Sequence, residues 1–513
     1  MIIDFKRISF FLILTLAPSA LLAQSANLAE RFDYNGDFLL RGYYVARDLP
    51  LEKQTKTLCP NPYQSSASSS SSSSSTGTST PSTNCREQSD FYKARFRLNL
   101  AFRPSNYVDV LYGLEVGDVD FGDTSSGTSG PGSGGTGSGS ANLETRELKI
   151  KIHDEKDTLS FTAGIFPYGT PNGFVSATSG AGFLLNWHAQ DWYSEFELYY
   201  IKKEDQSRVD RDSNGFSDAN YKDVDLVLGN WKYSGIPGYR SELYGLYRAD
   251  NRPQDDSGAF KDTSKLYWGG WYQRYRWKSF SFMLHVIGNW GYVYTDRNEL
   301  PREDLLQGTE ILTLASNAEN YLPNQREKSV VAAGAGEAEI GYQITDRYKI
   351  SVAIAGASGR RGIEPDNRSV DYRKDQFHYA GQAYQFSQIA VDSSGGYSLF
   401  TLGDLTGLVV RGVRFDAQVF ESVDMQIGYY SLHSYRTPTI DYNQFFTITP
   451  GGKSPSAFFG QEVDWEIKWR PFSDLTLTGY IAYFDAGDGY KILNDVEFGD
   501  RALEVMISAQ QRF

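Results

Sequence analysis

Apolar and polar residues alternate along most of the chain, in segments of about 9 to 12 residues. In "FYKARFRLNLAF" (91–102) the alternation is strict from Ala94 onwards, and "QEVDWEIKW" (461–469) repeats it with Val463 and Trp465 on the apolar side. Successive side chains of a strand point to opposite sides. Each segment therefore predicts a β-strand with one apolar face and one polar face.

The connections between these segments are alternately short and long. The short ones are "RPSN" (103–106), "DEKD" (154–157), "TDRY" (345–348), "ESVD" (421–424) and "FSD" (472–474). The long ones are 47–90, 122–142, 298–328, 360–406 and 437–457. This asymmetry is typical of outer-membrane barrels, which have short periplasmic turns and long extracellular loops.

The predicted fold class is therefore all-β, a transmembrane antiparallel β-barrel of about 18 strands. A soluble β-sandwich is the competing architecture, but its strands average about 5 to 6 residues, and these segments are longer. A propeller would show a repeat of about 40 residues, and no such repeat is visible.

The first residues predict a secretory signal peptide. Lys6 and Arg7 precede an apolar run, 8–16, which is too short to span a bilayer as a helix, and the small-residue stretch "APSALLAQS" follows. We predict a signal peptide over residues 1–23, with cleavage after Ala20 or Ala26 as alternatives. The barrel then covers residues 24–513 and lies in the bacterial outer membrane.

Two cysteines bracket a serine-rich run. Export places the chain in a compartment where disulfides form. A bridge between Cys59 and Cys85 would close a loop of about 26 residues; two free thiols are the alternative. The loops near 47–90 and 122–142 are low in complexity and predicted to be extracellular. The segment 360–406 is predicted to fold into the pore.

Charge and composition exclude several function classes. The net charge is −13 and the pI is near 5.0, which disfavours a nucleic-acid partner. The mean hydropathy of −0.45 argues against a bundle of membrane helices. Tyrosine is abundant, with 35 residues, and aromatic residues make up 15% of the chain, as girdles at a membrane interface require.

No motif indicates an enzyme, a cofactor or a metal site. The five histidines are scattered, and none has the spacing of a zinc ligand set. The stretch "GPGSGG" (130–135) fits the dinucleotide-binding glycine pattern but lies in a Gly/Ser loop, without the strand and helix that this fingerprint needs. We expect a protein with no catalytic residues, no cofactor and no metal.

Charged residues on the polar faces of the strands are candidates for the pore lining. The basic ones are Lys93, Arg95, Arg97, Lys149, Lys151, Arg414 and Lys468. The acidic ones are Glu147, Asp223, Asp225, Glu337, Glu339, Asp416, Glu462, Asp464 and Glu466. They either pair across neighbouring strands and brace the wall, or the first five basic residues form a ladder on one wall for an anionic solute.

Two aromatic features point to the membrane interface. The stretch "LYWGGWYQRYRW" (266–277) predicts a lipid-facing girdle at Tyr267, Trp268, Trp271, Tyr272, Tyr275 and Trp277, with stacking on sugars as the alternative. The last segment, "LEVMISAQQRF", ends on Phe513, whose ring is expected in the periplasmic girdle. An ending of this kind resembles that of bacterial outer-membrane proteins, which implies recognition by the barrel-assembly machinery.

The last quarter of the chain resembles the alginate-export family of outer-membrane porins. The resemblance rests on "TLGDLTGL" (401–408) and "FGQEVDWEIKWRPFSDLTLTGYIAYFDAGDGY" (459–490), with weaker support from "FTAGIFPYGTPNGFV" (161–175). It implies an 18-stranded monomeric barrel. It also implies passage of an anionic polysaccharide through an arginine-lined pore that loops gate.

These observations lead to two hypotheses. The first is a passive outer-membrane pore, embedded in outer-membrane lipid, for an anionic polysaccharide or a small polar solute. The second is a surface interaction protein, such as an adhesin, whose loops bind a ligand while the barrel serves as a scaffold.

Overall fold

The computed structural model describes residues 31–47, 87–121, 143–204, 224–250, 263–296, 326–359, 376–381, 383–392, 405–435, 456–489 and 501–513. Within these ranges the chain forms an 18-stranded sheet. The strands are β1 (Phe32–Arg47), β2 (Glu87–Ser105), β3 (Val108–Phe121), β4 (Leu143–His153), β5 (Leu159–Gly169), β6 (Ala177–Ala189), β7 (Ser194–Glu204), β8 (Val224–Tyr233), β9 (Tyr239–Asp250), β10 (Thr263–Trp277), β11 (Phe280–Asp296), β12 (Arg326–Thr345), β13 (Tyr348–Ala357), β14 (Leu408–Phe420), β15 (Val423–Ser434), β16 (Phe458–Trp469), β17 (Leu475–Ala486) and β18 (Arg501–Arg512). Two short 3-10 turns lie at Pro171–Gly173 and Gln190–Trp192. Among the described residues, no helix has the length and apolar character needed to cross a membrane.

The sheet is a closed barrel. Each strand pairs antiparallel with the next, and the ring closes where β1 pairs with β18, for example Leu40 with Ala509. Closure leaves no row of unpaired backbone groups, which hydrocarbon would not tolerate. The predicted fold class and strand number are confirmed.

Short connections lie at one rim of the barrel and longer ones at the other. Each even-numbered strand up to β16 joins its successor by a short turn; β12 ends at Thr345 and β13 begins at Tyr348. The five predicted tight turns all lie at this rim, which we call the short-turn rim. The connections that follow odd-numbered strands lie at the opposite rim, the long-loop rim.

The outer face of the wall is apolar. Large apolar side chains are exposed there around the ring: Leu40, Ile150, Leu185, Leu243, Trp271, Val286, Ile340, Val352, Ile427, Trp465 and Ile507. Their neighbours along each strand point inward and include charged groups such as Glu462 and Asp464, which flank exposed Val463. An apolar belt around a closed ring is the surface of an outer-membrane barrel, and the predicted location is confirmed.

The predicted aromatic girdle on β10 is wrong at two positions. Four members face outward and are exposed: Tyr267, Trp271, Tyr275 and Trp277. Trp268 and Tyr272 point inward instead and are buried. The outward set lies at odd-numbered positions and the inward set at even-numbered ones, and successive side chains of a strand point to opposite faces.

The predicted lumen position of Asp225 is also wrong. Its carboxylate accepts a hydrogen bond of 3.0 Å from the hydroxyl of Tyr200, which is exposed on the outer face. Leu226 and Leu228, which flank the outward position Val227, are completely buried on the inner face. The inner face is apolar here because other parts of the chain pack against it, as described below.

Several predictions concern residues outside the described ranges. These are the signal peptide over residues 1–23, the low-complexity parts of the loops 47–90 and 122–142, and the pair Cys59 and Cys85; Asp223 also falls there.

Candidate functional site

Two connections at the long-loop rim enter the barrel. The first insert, residues 170–176, joins β5 to β6. The second insert, residues 376–381 and 383–392, lies between β13 and β14, within the segment 360–406. Its groups hydrogen-bond to side chains on the inner faces of β10, β11, β12 and β16. The inserts therefore occupy part of the lumen.

The first insert is a compact loop closed by Thr170. The Oγ1 of Thr170 accepts hydrogen bonds from the amides of Val175 (3.1 Å) and Ser176 (3.2 Å), and its own amide donates to the carbonyl of Ser176 (2.8 Å). Pro171 begins the 3-10 turn, where a fixed φ costs nothing. Gly173 ends it at a φ of +67°, a conformation that glycine adopts without strain.

The two inserts bind each other through backbone hydrogen bonds. The amide of Ala380 donates to the carbonyl of Val175 (2.9 Å), and the amide of Ala383 donates to the carbonyl of Gly173 (3.2 Å). The ring of Phe174, which is fully buried, packs 4.7 Å from that of Tyr384. Burial of such a ring stabilises the packed state by about 2 to 3 kcal/mol, so the inserts form one apolar unit.

The wall at β10–β12 anchors this unit. The indole Nε1 of Trp268 donates to the carbonyl of His378 (2.8 Å), and the amide of His378 donates to Oδ1 of Asn289 (3.1 Å). The carboxylate of Glu337 accepts from the hydroxyl of Tyr384 (2.8 Å) and from Nδ2 of Asn172 (2.6 Å). Glu337 thus joins both inserts to β12.

A second anchor lies on β16. Glu462 accepts hydrogen bonds from the amides of Ile389 (2.7 Å) and Ala390 (2.9 Å) and from Oγ of Ser387 (2.8 Å). Asp464 accepts a bond of 3.0 Å from the amide of Gln388. Four hydrogen bonds from the 387–390 stretch thus end on these two side chains, and they fix its position against β16.

The predicted basic residues lie across the lumen from the anchors on β12, because β3 and β12 are nine positions apart in a ring of 18. Their ion pairs are Arg95 with Asp37 (3.6 Å), Arg97 with Glu115 (2.5 Å), Lys149 with Glu147 (2.9 Å) and Lys151 with Asp157 (2.6 Å). Lys93 is on the same inner face of β2, opposite Arg41. The basic side chains are therefore together on one wall, with acids interleaved.

One acid on this wall serves two arginines. Glu115 pairs with Arg97 and also with Arg146, at 2.7 Å, and its own side chain is buried. The side chains of Arg97 and Arg146 remain 36% and 45% exposed. Both guanidinium groups therefore face water in the lumen.

Sequence reasoning missed Arg146. Alternation from Leu148 and Ile150 predicts an outward side chain, but the register between β3 and β4 shifts at Gly113 and Leu114. At such a bulge one strand has an extra residue, which shifts the alternation of its side chains by one position. The side chain of Arg146 therefore reaches the inner face. A bulge of this kind leaves no signal in the polarity pattern.

The remaining predicted lumen charges lie on the far wall. Arg414 pairs with Glu339 (3.3 Å) and Asp416 (3.5 Å), and Lys468 pairs with Glu466 (2.6 Å). The Arg414–Glu339 pair reaches across β13, from β14 to β12, and the other two pairs each join residues two positions apart on one strand. No group of three or more candidate metal ligands occurs among the described residues.

Comparison with known proteins gives similarity of shape only. No protein-family model matches the chain, and no curated protein matches it. Similar solved structures include OccK1 (OpdK) of Pseudomonas aeruginosa, with 10% identity, coverage of 94% of this chain and 99% of that one, and a TM-score of 0.48. OccAB1 of Acinetobacter baumannii has 12% identity, coverage of 94% and 96%, and a TM-score of 0.48. OccK3 (OpdO) of P. aeruginosa has 11% identity, coverage of 95% and 99%, and a TM-score of 0.47. Similarity at this level assigns no function, and the resemblance to the alginate-export family stays a prediction.

Proposed function

We propose that the protein is a passive outer-membrane pore for a polar, anionic solute. The observation that carries the proposal is the closed 18-stranded wall with an apolar outer belt and a charged inner face. A ring of this size leaves an aqueous channel unless protein fills it. One chain closes the ring, which supports a pore that works as a monomer.

The charge on the wall at β2–β4 supports an anionic solute. Arg97 and Arg146 both pair with the carboxylate of Glu115 and keep part of their side-chain surface exposed. Basic groups that line a pore favour anions. Strand β12, which binds both inserts through Glu337, lies across the ring from β3, so a solute that passes the inserts on that side meets the basic wall.

The proposed solute class includes an anionic polysaccharide. Two stretches that carry the resemblance to alginate exporters, 161–175 and 459–490, contribute to the part of the lumen that the inserts narrow. The first stretch contains most of the first insert. The second contains Glu462 and Asp464, which bind the second insert. This supports an alginate-like or smaller anionic solute. The adhesin alternative depends on loops outside the described ranges.

Ion selectivity in planar bilayers tests the proposal. Under a salt gradient the reversal potential of the wild-type protein should indicate a preference for anions, and the double variant Arg97→Glu, Arg146→Glu should shift it towards cations. Lys468→Glu is the matched control, because it reverses one charge on β16, away from this wall. An unchanged reversal potential in the double variant would rule out the basic wall as the source of selectivity.

A further inference from the structure

A cavity of about 190 Å³ lies between the second insert and the wall formed by β11–β15. It has room for several waters. Its lining includes three aromatic residues and three polar ones: Tyr384, Phe386, Tyr430, Glu339, Ser351 and Arg414. The side chain of Arg414 is 34% exposed, so the cavity is reached from the lumen.

One side of the cavity is aromatic. The ring of Tyr430 lies against the backbone of Gly412 and Gly428, where an added Cβ would come within 2.6 Å and 2.5 Å of the tyrosine side chain. Phe386 meets it edge to face, with ring centroids 5.7 Å apart. The two glycines make room for the ring next to the wall, and the rings give the cavity an apolar surface.

The other side of the cavity is polar, and it carries one hydroxyl group that the protein leaves unused. Ser351 is 2% exposed, and its Oγ has no hydrogen-bond partner among the described residues. Buried polar groups normally have partners. Nη2 of Arg414 contacts both oxygens of Glu339 at 3.3 Å, which is long for hydrogen bonds between charged groups.

Hydrogen bonds and ion pairs already hold the two carboxylates that line this cavity. Glu337 is satisfied by donors from Asn172, His285 and Tyr384. Glu339 is balanced by Lys349 and Arg414. Both carboxylates therefore have protein partners, and the cavity offers hydrogen-bond donors as well as acceptors.

We propose that this cavity binds a saccharide ring through its hydroxyl groups. Each sugar hydroxyl both donates and accepts, which suits Ser351, Glu339 and Arg414. The carbon-bound hydrogens of the ring pack on the aromatic side. The inference rests on the proposed function in one respect, that a solute in the lumen can reach the cavity. To that function it adds a subsite for a neutral saccharide, opposite the basic wall.

Saturation-transfer NMR on the full chain in detergent micelles tests the subsite, with methyl α-glucopyranoside as the probe. The wild-type protein should transfer saturation to the protons on the pyranose ring of the probe. Ser351→Val removes the hydroxyl at similar volume and should weaken binding about tenfold, as expected for one lost hydrogen bond. Ala353→Leu, from the same wall of the cavity, should abolish binding by filling the space. Ser508→Ala is the control, because Ser508 points inward on β18, outside the cavity.

The outcomes separate this inference from the pore. Heat-modifiable mobility on gels verifies folding of each variant, and Ala353→Leu keeps the test valid should Ser351→Val not fold. The subsite is refuted by no transfer to the sugar, by equal transfer to triethylene glycol, or by both cavity variants binding like wild type. A conducting barrel that does not bind sugar refutes only the subsite. A barrel that binds sugar but never conducts refutes only the pore.

Discussion

The carboxylate of Glu462 accepts a 2.7 Å hydrogen bond from the backbone amide of Ile389, although 73 residues separate the two in sequence. Its other oxygen accepts from Ala390 and Ser387. The side chain is completely buried. The wall of the barrel thus sets the position of the second insert, and the insert sets how much of the lumen stays open.

Glu462→Gln should release this part of the insert. An amide replaces one acceptor oxygen by a donor that faces backbone N–H groups, so at least one hydrogen bond is lost and a buried N–H is left without an acceptor, at about 1 to 3 kcal/mol. We expect faster hydrogen exchange at Ile389 and Ala390, together with a larger single-channel conductance.

Glu466→Gln is the matched control for this prediction. Glu466 lies on the same strand and the same face but pairs with Lys468. Glu466→Gln should leave both the hydrogen exchange at Ile389 and Ala390 and the single-channel conductance at their wild-type values. Equal effects of the two variants would show that charge on β16, and not the anchor, controls the insert.

Gly173→Ala should loosen the contact between the two inserts. At a φ of +67° an alanine costs about 1 to 2 kcal/mol, and its methyl group would overlap the backbone oxygen of Ala383. Limited proteolysis from the extracellular side should cleave this variant faster than wild type. Gly245→Ala is the control, since nothing lies within 4 Å of a Cβ there; a similar cleavage rate in both variants would contradict the packing described.

Phe513 closes the seam between β18 and β1. Its amide and carbonyl exchange hydrogen bonds with Gly36 (3.1 Å and 3.0 Å), and its ring stacks on Phe96 at 5.9 Å. Phe513→Ala should cost about 1 kcal/mol when the pure protein is unfolded in lipid. If the assembly machinery reads this residue, the amount of heat-modifiable barrel in cells should fall far more than a stability loss of about 1 kcal/mol would cause.

The control for Phe513 is Phe420→Ala, an exposed ring beside another turn of the short-turn rim. It should lower stability in lipid to a similar extent and leave the amount of barrel in cells nearly unchanged. Parallel losses in both variants would remove the special role of Phe513.

Asp154, in the turn between β4 and β5, should make that turn sensitive to acid. Its carboxylate accepts a 3.0 Å bond from the amide of Leu159, which lowers its pKa. A lowered pKa stabilises the folded turn above the ordinary pKa of about 3.9, and this contribution is lost as pH falls through the lowered value. Hydrogen exchange of the Leu159 amide should become faster as the pH falls through the lowered pKa. The variant Asp154→Asn should show no such step in its exchange rate. A step that persists in Asp154→Asn would contradict the assignment.

The strands and turns could be predicted because a barrel wall has a single rule. One face meets lipid along its whole length, so the apolar set of each segment, such as Val463 and Trp465, identifies the outer face directly. The tight turns follow from the same periodicity, since each marks where the alternation stops.

The inner face follows no single rule, and prediction failed there at several positions. Trp268, Leu226 and Leu228 are buried against other protein, so the inner face is apolar at those positions. The acid at Asp225 faces outward beside Tyr200 for the same reason. Alternation placed Glu462 inside, but its partners come from a segment about 70 residues away, and no local pattern encodes that contact.

Conductance of the purified protein in a planar bilayer tests the central claim most directly. A closed wall with a water-filled, partly obstructed lumen should produce discrete current steps as single molecules insert. Folded barrels, verified by heat-modifiable mobility, that insert without any current would contradict the proposed pore.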